Sequence, residues 1–263
     1  MSDLLLSFFL GLVQGLTEFL PISSSAHLLL PSLIFGSNDL GLPFDIAVHA
    51  GTLVAVIYYF RKELISMTKS IFTNDDRLIE HRKLATYLII ATIPVIFVGL
   101  IFSNIIQQRI FSISSIAISN LFFAVILLFA FLTRKSNKNL FQLTLYGALF
   151  IGIVQCFALI PGASRSGTAI TAALLIGMNL KDSSKFSFML GIPTILGALV
   201  LLIIEIQTLD ITYNSMNLFI GFFVSMIFAF FTIKLFLDFV EKIGMIPFVT
   251  YRIFLAALLF LLI

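Results

Sequence analysis

Ten apolar segments divide the chain, and short polar breaks separate them. They fall at roughly 4–20, 26–35, 44–60, 84–102, 113–132, 144–160, 167–178, 186–204, 216–237 and 246–263. Several approach the ~20 apolar residues that cross a bilayer as a helix. The pairs 4–20/26–35 and 144–160/167–178 differ, because one member is short and a proline lies at the join. Such pairs predict helix-loop-helix hairpins that enter the membrane and return.

The composition supports a membrane protein. The chain is 60% hydrophobic and 11% charged, with a mean hydropathy of +1.12, whereas a soluble domain carries about 25% charged residues. The N-terminus lacks a basic region and a cleavage site, so we do not expect a removable signal peptide. The single cysteine, Cys156, excludes an internal disulfide. The net charge of +3 is too small to indicate nucleic acid as a partner.

Two stretches of the chain resemble each other, "GLVQGLTEFLPISSSAH" and "GIVQCFALIPGASRSG". With a one-residue gap, Gln14 aligns with Gln155, and Ser24 aligns with Ser164. Further along, "FDIAVHAGTL" parallels "FSFMLGIPTI", and two more apolar spans follow in each half. The chain therefore reads as two copies of one unit, a hairpin followed by three crossings.

An odd number of crossings places the second copy upside down relative to the first. We predict a single transmembrane domain over 1–263, with repeat 1 at about 1–132 and repeat 2 at about 144–263. The predicted fold is an all-α polytopic membrane protein with an inverted-topology repeat. It has about six transmembrane helices and two re-entrant hairpins.

The basic residues test this topology. Most of them fall in the segments 61–83 and 133–143, and the positive-inside rule makes that side cytoplasmic. The first hairpin then enters from outside and the second from inside, so that their tips can meet near mid-membrane. On the opposite face we expect Arg109 as the only basic residue, together with Asp3, Asp39, Glu205 and Asp210.

Each proline break is followed by the start of a new half-helix, "ISSSAH" or "GASRSG". A helix N-terminus has unpaired N–H groups and a positive dipole end, and Ser is a good N-cap. Two such ends around one cavity form an anion site, to which Arg165 adds a planar fork suited to phosphate. The predicted phosphate contacts are Ser23, Ser25, Gly162, Ser164 and Ser166.

Ionisable groups at this depth indicate chemistry, because burying one in the bilayer costs about 2.5–3.5 kcal/mol on insertion scales. Glu18 would repel a phosphate, so we expect a divalent cation, Mg²⁺ or Ca²⁺, bound by Glu18 and by Gln14 one turn earlier. Ser24 is the candidate nucleophile and His27 the candidate general base or acid. Direct attack by His27 is left open.

The segments "QGLTEFLPISSSAH" and "PGASRSG" together resemble the two motifs of the undecaprenyl-diphosphate phosphatase, or bacitracin-resistance, family, and the resemblance covers nearly the whole chain. It implies removal of the terminal phosphate of undecaprenyl diphosphate with a divalent metal, which recycles the lipid carrier for peptidoglycan. It also implies an active site on the outer side of the bacterial inner membrane. The family's functional positions correspond to Glu18, Ser24, His27 and Arg165, with Ser164 and Thr168 nearby as expected substrate contacts.

Several alternatives stay open. The family position that is often Glu is Gln14 here, which leaves Glu18 as the main carboxylate. A lipid-carrier flippase would share the fold and the phosphate site but needs no nucleophile or base. Soluble-type acid phosphatases are set aside because no His follows Arg165. Asp45 and His49, four residues apart, are either a supporting pair for the site or ordinary polar contacts between helices. Homo-oligomerisation is also left open.

Overall fold

The computed structural model describes residues 3–73, 75–102, 112–206 and 214–261, and the regular elements in these ranges are helices. The α-helices are α1 (Asp3–Thr17), α2 (Ser24–Phe35), α3 (Gly41–Tyr59), α4 (Arg61–Phe72), α5 (Ile79–Ile101), α6 (Ile113–Thr133), α7 (Leu145–Gln155), α8 (Arg165–Leu175), α9 (Leu180–Ile206), α10 (Ser215–Ile243) and α11 (Ile246–Leu261). Three residues predicted on the outer face cannot be compared with the structure. Arg109, Asp210 and the Glu205 side chain lie outside the described residues.

Five helices of the described chain, α3, α5, α6, α9 and α10, are long and apolar enough to cross a membrane. The sixth predicted span corresponds to α11, which has 16 residues. At 1.5 Å per residue it extends about 24 Å, somewhat less than the ~30 Å hydrocarbon core. The all-α polytopic class is therefore confirmed.

Both predicted hairpins are present, as α1–α2 and α7–α8. The chain leaves α1 after Thr17 and begins α2 at Ser24; it leaves α7 after Gln155, continues through a 3₁₀ turn, and begins α8 at Arg165. Each bend contains the proline that the sequence placed there. Proline lacks the N–H that an uninterrupted helix requires, so the break follows directly from its chemistry.

The basic segment 61–83, predicted only as a loop, contains the helix α4. Its buried residues Met67 and Ser70 lie on one face, while the charged residues remain outside. Arg82 then donates to the carbonyls of Ser70 and Thr73, at 2.7 and 2.6 Å, which ties the end of α4 to α5. The sequence did not predict this helix, because charged residues outnumber the apolar positions that mark its buried face.

Most helix pairs that pack together have an equivalent pair when the helices of repeat 1 and repeat 2 are interchanged. α1 packs on α10 as α7 packs on α5, and α3 packs on α10 as α9 packs on α5. The pairs α6–α11 and α3–α9 are each formed by equivalent helices of the two repeats. This is the pattern expected of two units related by a pseudo-two-fold axis.

Small residues permit the close crossings at equivalent places. A Cβ on Gly11 would lie 3.0 Å from the carbonyl oxygen of Gly221 in α10. A Cβ on Gly152, the equivalent position of the second repeat, would overlap the backbone of Ala91 in α5. Helices in lipid associate through such close contacts, since apolar burial alone gains little there.

The alignment of the two repeats needs one correction. Ser23 and Ser164 precede α2 and α8 with φ of 72° and 73°, and each hydroxyl lies 3.2 Å from the hydroxyl two residues later. The predicted pairing of Ser24 with Ser164 is therefore wrong by one residue, and no gap is needed. Ser24 corresponds instead to Arg165, because each is the first residue of its half-helix.

The two hairpins differ in how they are packed. Residues 166–174 of α8 are buried against α6, α7 and α9. In the described part of the chain, α2 has no comparable contact with α3, although α8 packs on α9 at the equivalent place. A cavity of about 580 Å³ lies between α2 and α3, with α1 and α9 contributing to its walls. The cavity thus lies beside the first hairpin, and Ala158, Leu159 and Pro161 from the bend of the second hairpin also line it.

The crossing of α5 and α7 generates a stability prediction. Gly152→Ala places a methyl group against the Ala91 backbone, which cannot move aside like a flexible side chain. We expect the free energy of unfolding to fall by about 1–3 kcal/mol, as in other overpacked cores. Thermal melting of the purified protein in detergent measures this.

Gly197→Ala is the matched control. It is also a helical glycine, but its new Cβ would lie 3.7 Å from the Ile96 side chain, an ordinary contact. We expect no loss of stability from it. An unchanged melting temperature for Gly152→Ala, or equal losses in both variants, would contradict the proposed tight crossing.

Candidate active site

The tips of the two hairpins meet in a buried ion pair. Arg165 Nη2 donates to Glu18 Oε1 at 3.0 Å, and the side chains are only 11% and 6% exposed. A second bond joins the tips directly, from the Ser166 hydroxyl to the Leu20 carbonyl at 2.9 Å. The meeting of the tips, predicted from the inverted repeat, is therefore present.

The other oxygen of Glu18 accepts two further hydrogen bonds. The Ser24 hydroxyl donates to Oε2 at 2.6 Å, and Gln14 Nε2 donates to the same atom at 3.0 Å. The structure thus brings together four of the predicted site residues, Gln14, Glu18, Ser24 and Arg165. We refer to these four residues as the tip cluster.

One nitrogen of the Arg165 guanidinium has no protein partner. Its Nη1 donates to the Ser187 carbonyl at 3.3 Å, and its guanidinium lies 5.6 Å from the centre of the Phe19 ring. Its Nε is buried and unpaired. Any Cβ at position 191 would overlap the guanidinium, so Gly191 leaves the room that Arg165 occupies. Leaving a buried N–H without an acceptor costs about 1–3 kcal/mol of stability. A ligand oxygen that accepted from Arg165 Nε would remove this cost.

His27 lies outside the tip cluster. Its Nδ1 is 2.7 Å from the Ser23 carbonyl, and its Nε2 is 2.5 Å from the Tyr251 hydroxyl of α11. The His27 and Tyr251 rings are also stacked, at 5.6 Å. Both ring nitrogens are thus engaged by groups other than Glu18, Ser24 and Arg165.

His49 occupies the place beside Glu18 that the sequence suggested for His27. Its Nε2 is 3.9 Å from Glu18 Oε2, and its Nδ1 bonds to the Asp45 carbonyl at 2.7 Å. Asp45 and His49 both line the cavity between α2 and α3. His49 therefore joins that cavity to the tip cluster. The signal in the sequence was its spacing from Asp45, but the spacing did not indicate Glu18 as its neighbour.

The two half-helix starts have different capping. The Ser164 hydroxyl accepts from the Gly167 amide at 3.1 Å, whereas Ser23 makes no side-chain cap to α2. The first amides of α2 are therefore without a side-chain cap, in the hairpin that borders the cavity.

The predicted phosphate contacts divide between the two hairpins. Ser25 is exposed and lines the cavity. The predicted contacts in the second hairpin are buried in the packed region around α8. One of them, Thr168, donates to the Arg165 carbonyl at 2.9 Å. These buried residues are Gly162, Ser164, Ser166 and Thr168.

The protein by itself offers few metal ligands at the tip cluster. Within the described ranges, no three His, Cys, Asp or Glu side chains are grouped to hold a metal. Gln14 Oε1 is a buried oxygen without a partner, next to a carboxylate whose atoms accept from Arg165, Ser24 and Gln14. Mg²⁺ commonly takes one or two protein oxygens and completes its shell with phosphate and water. The donor set therefore fits a cation held jointly with a phosphate ligand.

Sequence reasoning missed one further charge, Arg252 of α11. It is fully buried and contacts the bends of both hairpins. A lone arginine within the apolar last segment was the available signal, since such residues are rarely placed at membrane depth without a purpose.

The chain matches a known family over nearly all of its length. The family model described as bacitracin resistance protein BacA covers residues 7–258, which include both hairpins and the tip cluster. The chain belongs to the BacA family. The resemblance seen in the two motifs is thereby confirmed.

Individual BacA relatives are similar from end to end. The undecaprenyl-diphosphatase of Saccharophagus degradans is 46% identical, over 99% of this chain and 98% of that protein. The undecaprenyl-diphosphatase of Alcanivorax borkumensis is 44% identical, over 95% of this chain and 96% of that protein. Undecaprenyl-diphosphatase 1 of Pseudoalteromonas translucida is 42% identical, over 94% of this chain and 93% of that protein.

The ion pair at the tips generates a second prediction. Glu18→Gln leaves the buried Arg165 charge without a carboxylate, and breaking a buried pair from one side typically costs about 3–5 kcal/mol. The double variant Glu18→Gln/Arg165→Met removes both charges. We therefore expect the single variant to melt at a lower temperature than the double variant.

Thermal melting in detergent of the wild type, both single variants and the double variant gives the coupling between the two residues. Additive losses, with the double variant the least stable, would show that the two charges are not mutually compensating.

Proposed function

We propose that this chain is an undecaprenyl-diphosphatase. It hydrolyses undecaprenyl diphosphate to undecaprenyl phosphate and phosphate, which recycles the lipid carrier for peptidoglycan and confers resistance to bacitracin. Membership of the BacA family and relatives of that name at 42–46% identity support this. The observation that carries the chemistry is the 2.6 Å hydrogen bond from the Ser24 hydroxyl to Glu18.

In this proposal Ser24 is the nucleophile and Glu18 its general base. The Ser24 oxygen forms a bond to the terminal phosphorus, and the bond from that phosphorus to the bridging oxygen breaks. The Ser24 proton passes to Glu18, which already accepts that hydrogen bond. Undecaprenyl phosphate leaves, and water then cleaves the phosphoserine to release phosphate.

Arg165 stabilises charge on the transferring oxygens. Its unpaired Nε is a buried donor at the junction of the tips. The uncapped first amides of α2 add donors and the positive end of a helix dipole. Donors that are already in place, in a site with little water, are the main source of catalysis in phosphoryl transfer.

A divalent cation, Mg²⁺ or Ca²⁺, would be held by Glu18 and Gln14 Oε1 together with oxygens of the diphosphate. When bound, it reduces repulsion between the carboxylate and the phosphates and withdraws electron density from phosphorus. His27 acts in this proposal by position. Its bonds to Ser23 and Tyr251 hold the start of α2, which carries Ser24.

The cavity between α2 and α3 receives the head group of the lipid. Its volume of about 580 Å³ lies within the range of small-molecule sites. Much of its wall is apolar, including Leu28, Leu29 and Leu202, which suits the first isoprene units. The rest of the tail stays in lipid. Because the cavity borders the first hairpin, we expect from the positive-inside rule that its entrance lies on the outer side of the cytoplasmic membrane.

A lipid-carrier flippase is the rival function. It would use the same inverted repeat and the same anion site. A serine hydrogen-bonded to a carboxylate serves hydrolysis and has no evident use in transport. The firm packing of α8 also favours a site that opens toward one side.

Ser24→Ala tests the chemistry. We expect kcat for phosphate release from undecaprenyl diphosphate in detergent, with Mg²⁺ or Ca²⁺, to fall at least about 10³-fold, because the nucleophile is gone. Ser184→Ala is the control, since that buried hydroxyl bonds only to the Leu180 carbonyl of its own helix, at 2.8 Å.

Trapping with substrate labelled in the terminal phosphate distinguishes the routes. We expect a labelled phosphoserine at position 24. A label on His27 would identify the imidazole as the nucleophile, and activity without any label would indicate direct attack by water. A pure wild-type protein that binds the lipid but releases no phosphate with either metal would favour the flippase.

The orientation is tested by labelling single cysteines in whole cells. In a Cys156→Ser background, Asn38→Cys lies before α3 and Lys69→Cys lies after it, both at exposed positions. We expect a membrane-impermeant maleimide to label position 38 in intact cells and position 69 only after lysis. The reverse result would place the cavity entrance on the cytoplasmic side.

A further inference from the structure

Arg252 is the largest fully buried side chain of the described residues, and it lies in the middle of the apolar helix α11. Among these residues, no carboxylate lies within ion-pair distance of its guanidinium. Burying a charge in this position costs several kcal/mol, and specific hydrogen bonds must offset that cost. The identity of those bonds indicates its purpose.

The guanidinium spans the bends of both hairpins. Nη1 is 3.4 Å from the Pro21 carbonyl of the first hairpin. Nη2 donates to the Gly162 carbonyl at 2.7 Å and to the Ala163 carbonyl at 3.2 Å, both in the second hairpin. A single side chain therefore contacts the two segments that carry the tip cluster.

Asn120 of α6 orients the arginine. Arg252 Nε donates to Asn120 Oδ1 at 2.8 Å, and Asn120 Nδ2 donates to the Arg252 carbonyl at 2.9 Å. Next to Asn120, the Ser119 hydroxyl donates to the Pro161 carbonyl. The pair α6–α11 thus contacts the bends of both hairpins.

The contacted carbonyls precede the two strained serines. Pro21 lies two residues before Ser23, and Gly162 and Ala163 lie directly before Ser164. Both serines have positive φ, a conformation that a non-glycine residue keeps only when its surroundings hold it. Ser24 and Arg165 follow immediately, so the placement of the bends sets the placement of the reacting groups.

We propose that Arg252 is a positioning residue of the phosphatase. It holds the two bends at the separation at which Arg165 and Ser24 both reach Glu18, and it does not touch the substrate. This inference rests on the proposed roles of Ser24, Glu18 and Arg165. It is distinct from them, because the site could be correctly assigned while Arg252 contributed only to folding.

Arg252→Gln is the first test. Glutamine keeps a polar side chain but has a single amide and cannot span both bends. We expect kcat per folded molecule to fall about 100-fold, the size of effect that misplacement by about 1 Å produces. We expect KM to change less than about threefold, because the contacts with substrate remain. The folded fraction is measured by size-exclusion chromatography in detergent.

Arg82→Gln is the matched control. Arg82 also donates to two backbone carbonyls, at 2.7 and 2.6 Å, but these belong to Ser70 and Thr73 of the basic segment. We expect its kcat to stay within about twofold of the wild type. A comparable fall in both variants would show that the loss is a general consequence of removing an arginine, and would overturn the proposal.

A double variant separates positioning from mere stability. Because Arg252 is proposed to align both Arg165 and Ser24 with Glu18, part of its effect should disappear when Arg165 is removed. Arg252→Gln should therefore lower the residual kcat of Arg165→Ala by clearly less than about 100-fold. A full 100-fold further loss would show that Arg252 acts independently of that alignment. Wild-type kcat in folded Arg252→Gln would also refute the proposal. Full activity of Arg165→Ala alone would instead refute the proposed site.

Asn120→Ala provides the test if Arg252→Gln is not recovered as folded protein. It keeps the buried arginine and removes the partner that orients it. We expect a fall in kcat of about tenfold with KM unchanged. A folded Asn120→Ala variant with wild-type kcat would count against the positioning role.

Discussion

The structure depends on one requirement, that a carboxylate and a guanidinium buried at membrane depth must reach each other. Neither Glu18 nor Arg165 could remain ionised alone in this surrounding without a large penalty. They arise on hairpins separated by most of the first repeat, and their 3.0 Å contact holds the hairpin tips together. An inverted repeat is a simple way to meet this requirement, since it delivers two similar bends to one level from opposite sides of the membrane.

The two repeats share a backbone arrangement but differ in the residue that begins the second half-helix of each hairpin. The first residue of the half-helix is Ser24 in one copy and Arg165 in the other. The first repeat therefore supplies a hydroxyl and the second supplies a guanidinium, and the Glu18 carboxylate accepts hydrogen bonds from both. The packing has diverged in parallel, because α8 is embedded while α2 borders an open cavity. This asymmetry suits an enzyme that receives its substrate from one side.

Strain at the bends is compensated by the surrounding helices. Residues in sparsely populated backbone conformations cost about 1–3 kcal/mol each and persist only where several contacts determine them. Ser23 and Ser164 are both in this class. The contacts come from α6 and α11, through Asn120 and Arg252, and from the bond between Ser166 and Leu20 across the tips. Helices that never approach the cavity thus take part in defining the site.

Much of this protein could be predicted from its sequence. Long apolar runs determine the spans, and a proline within an apolar run determines where a hairpin bends, because both are properties of the local chain. The pairing of Glu18 with Arg165 could also be predicted, since few ionisable groups lie beside the two proline bends. The motifs were enough to indicate the family.

The tertiary structure alone decided which side chains face one another. The start of α2 at Ser24 and the neighbouring Tyr251 turn His27 toward α11, while His49 from α3 approaches Glu18. Arg252, a single residue in an apolar segment, acquires its partners only when α11 packs beside both bends. Spacing along a helix specifies a face of that helix. It does not specify which distant segment covers the face, because that depends on contacts between residues far apart in the chain.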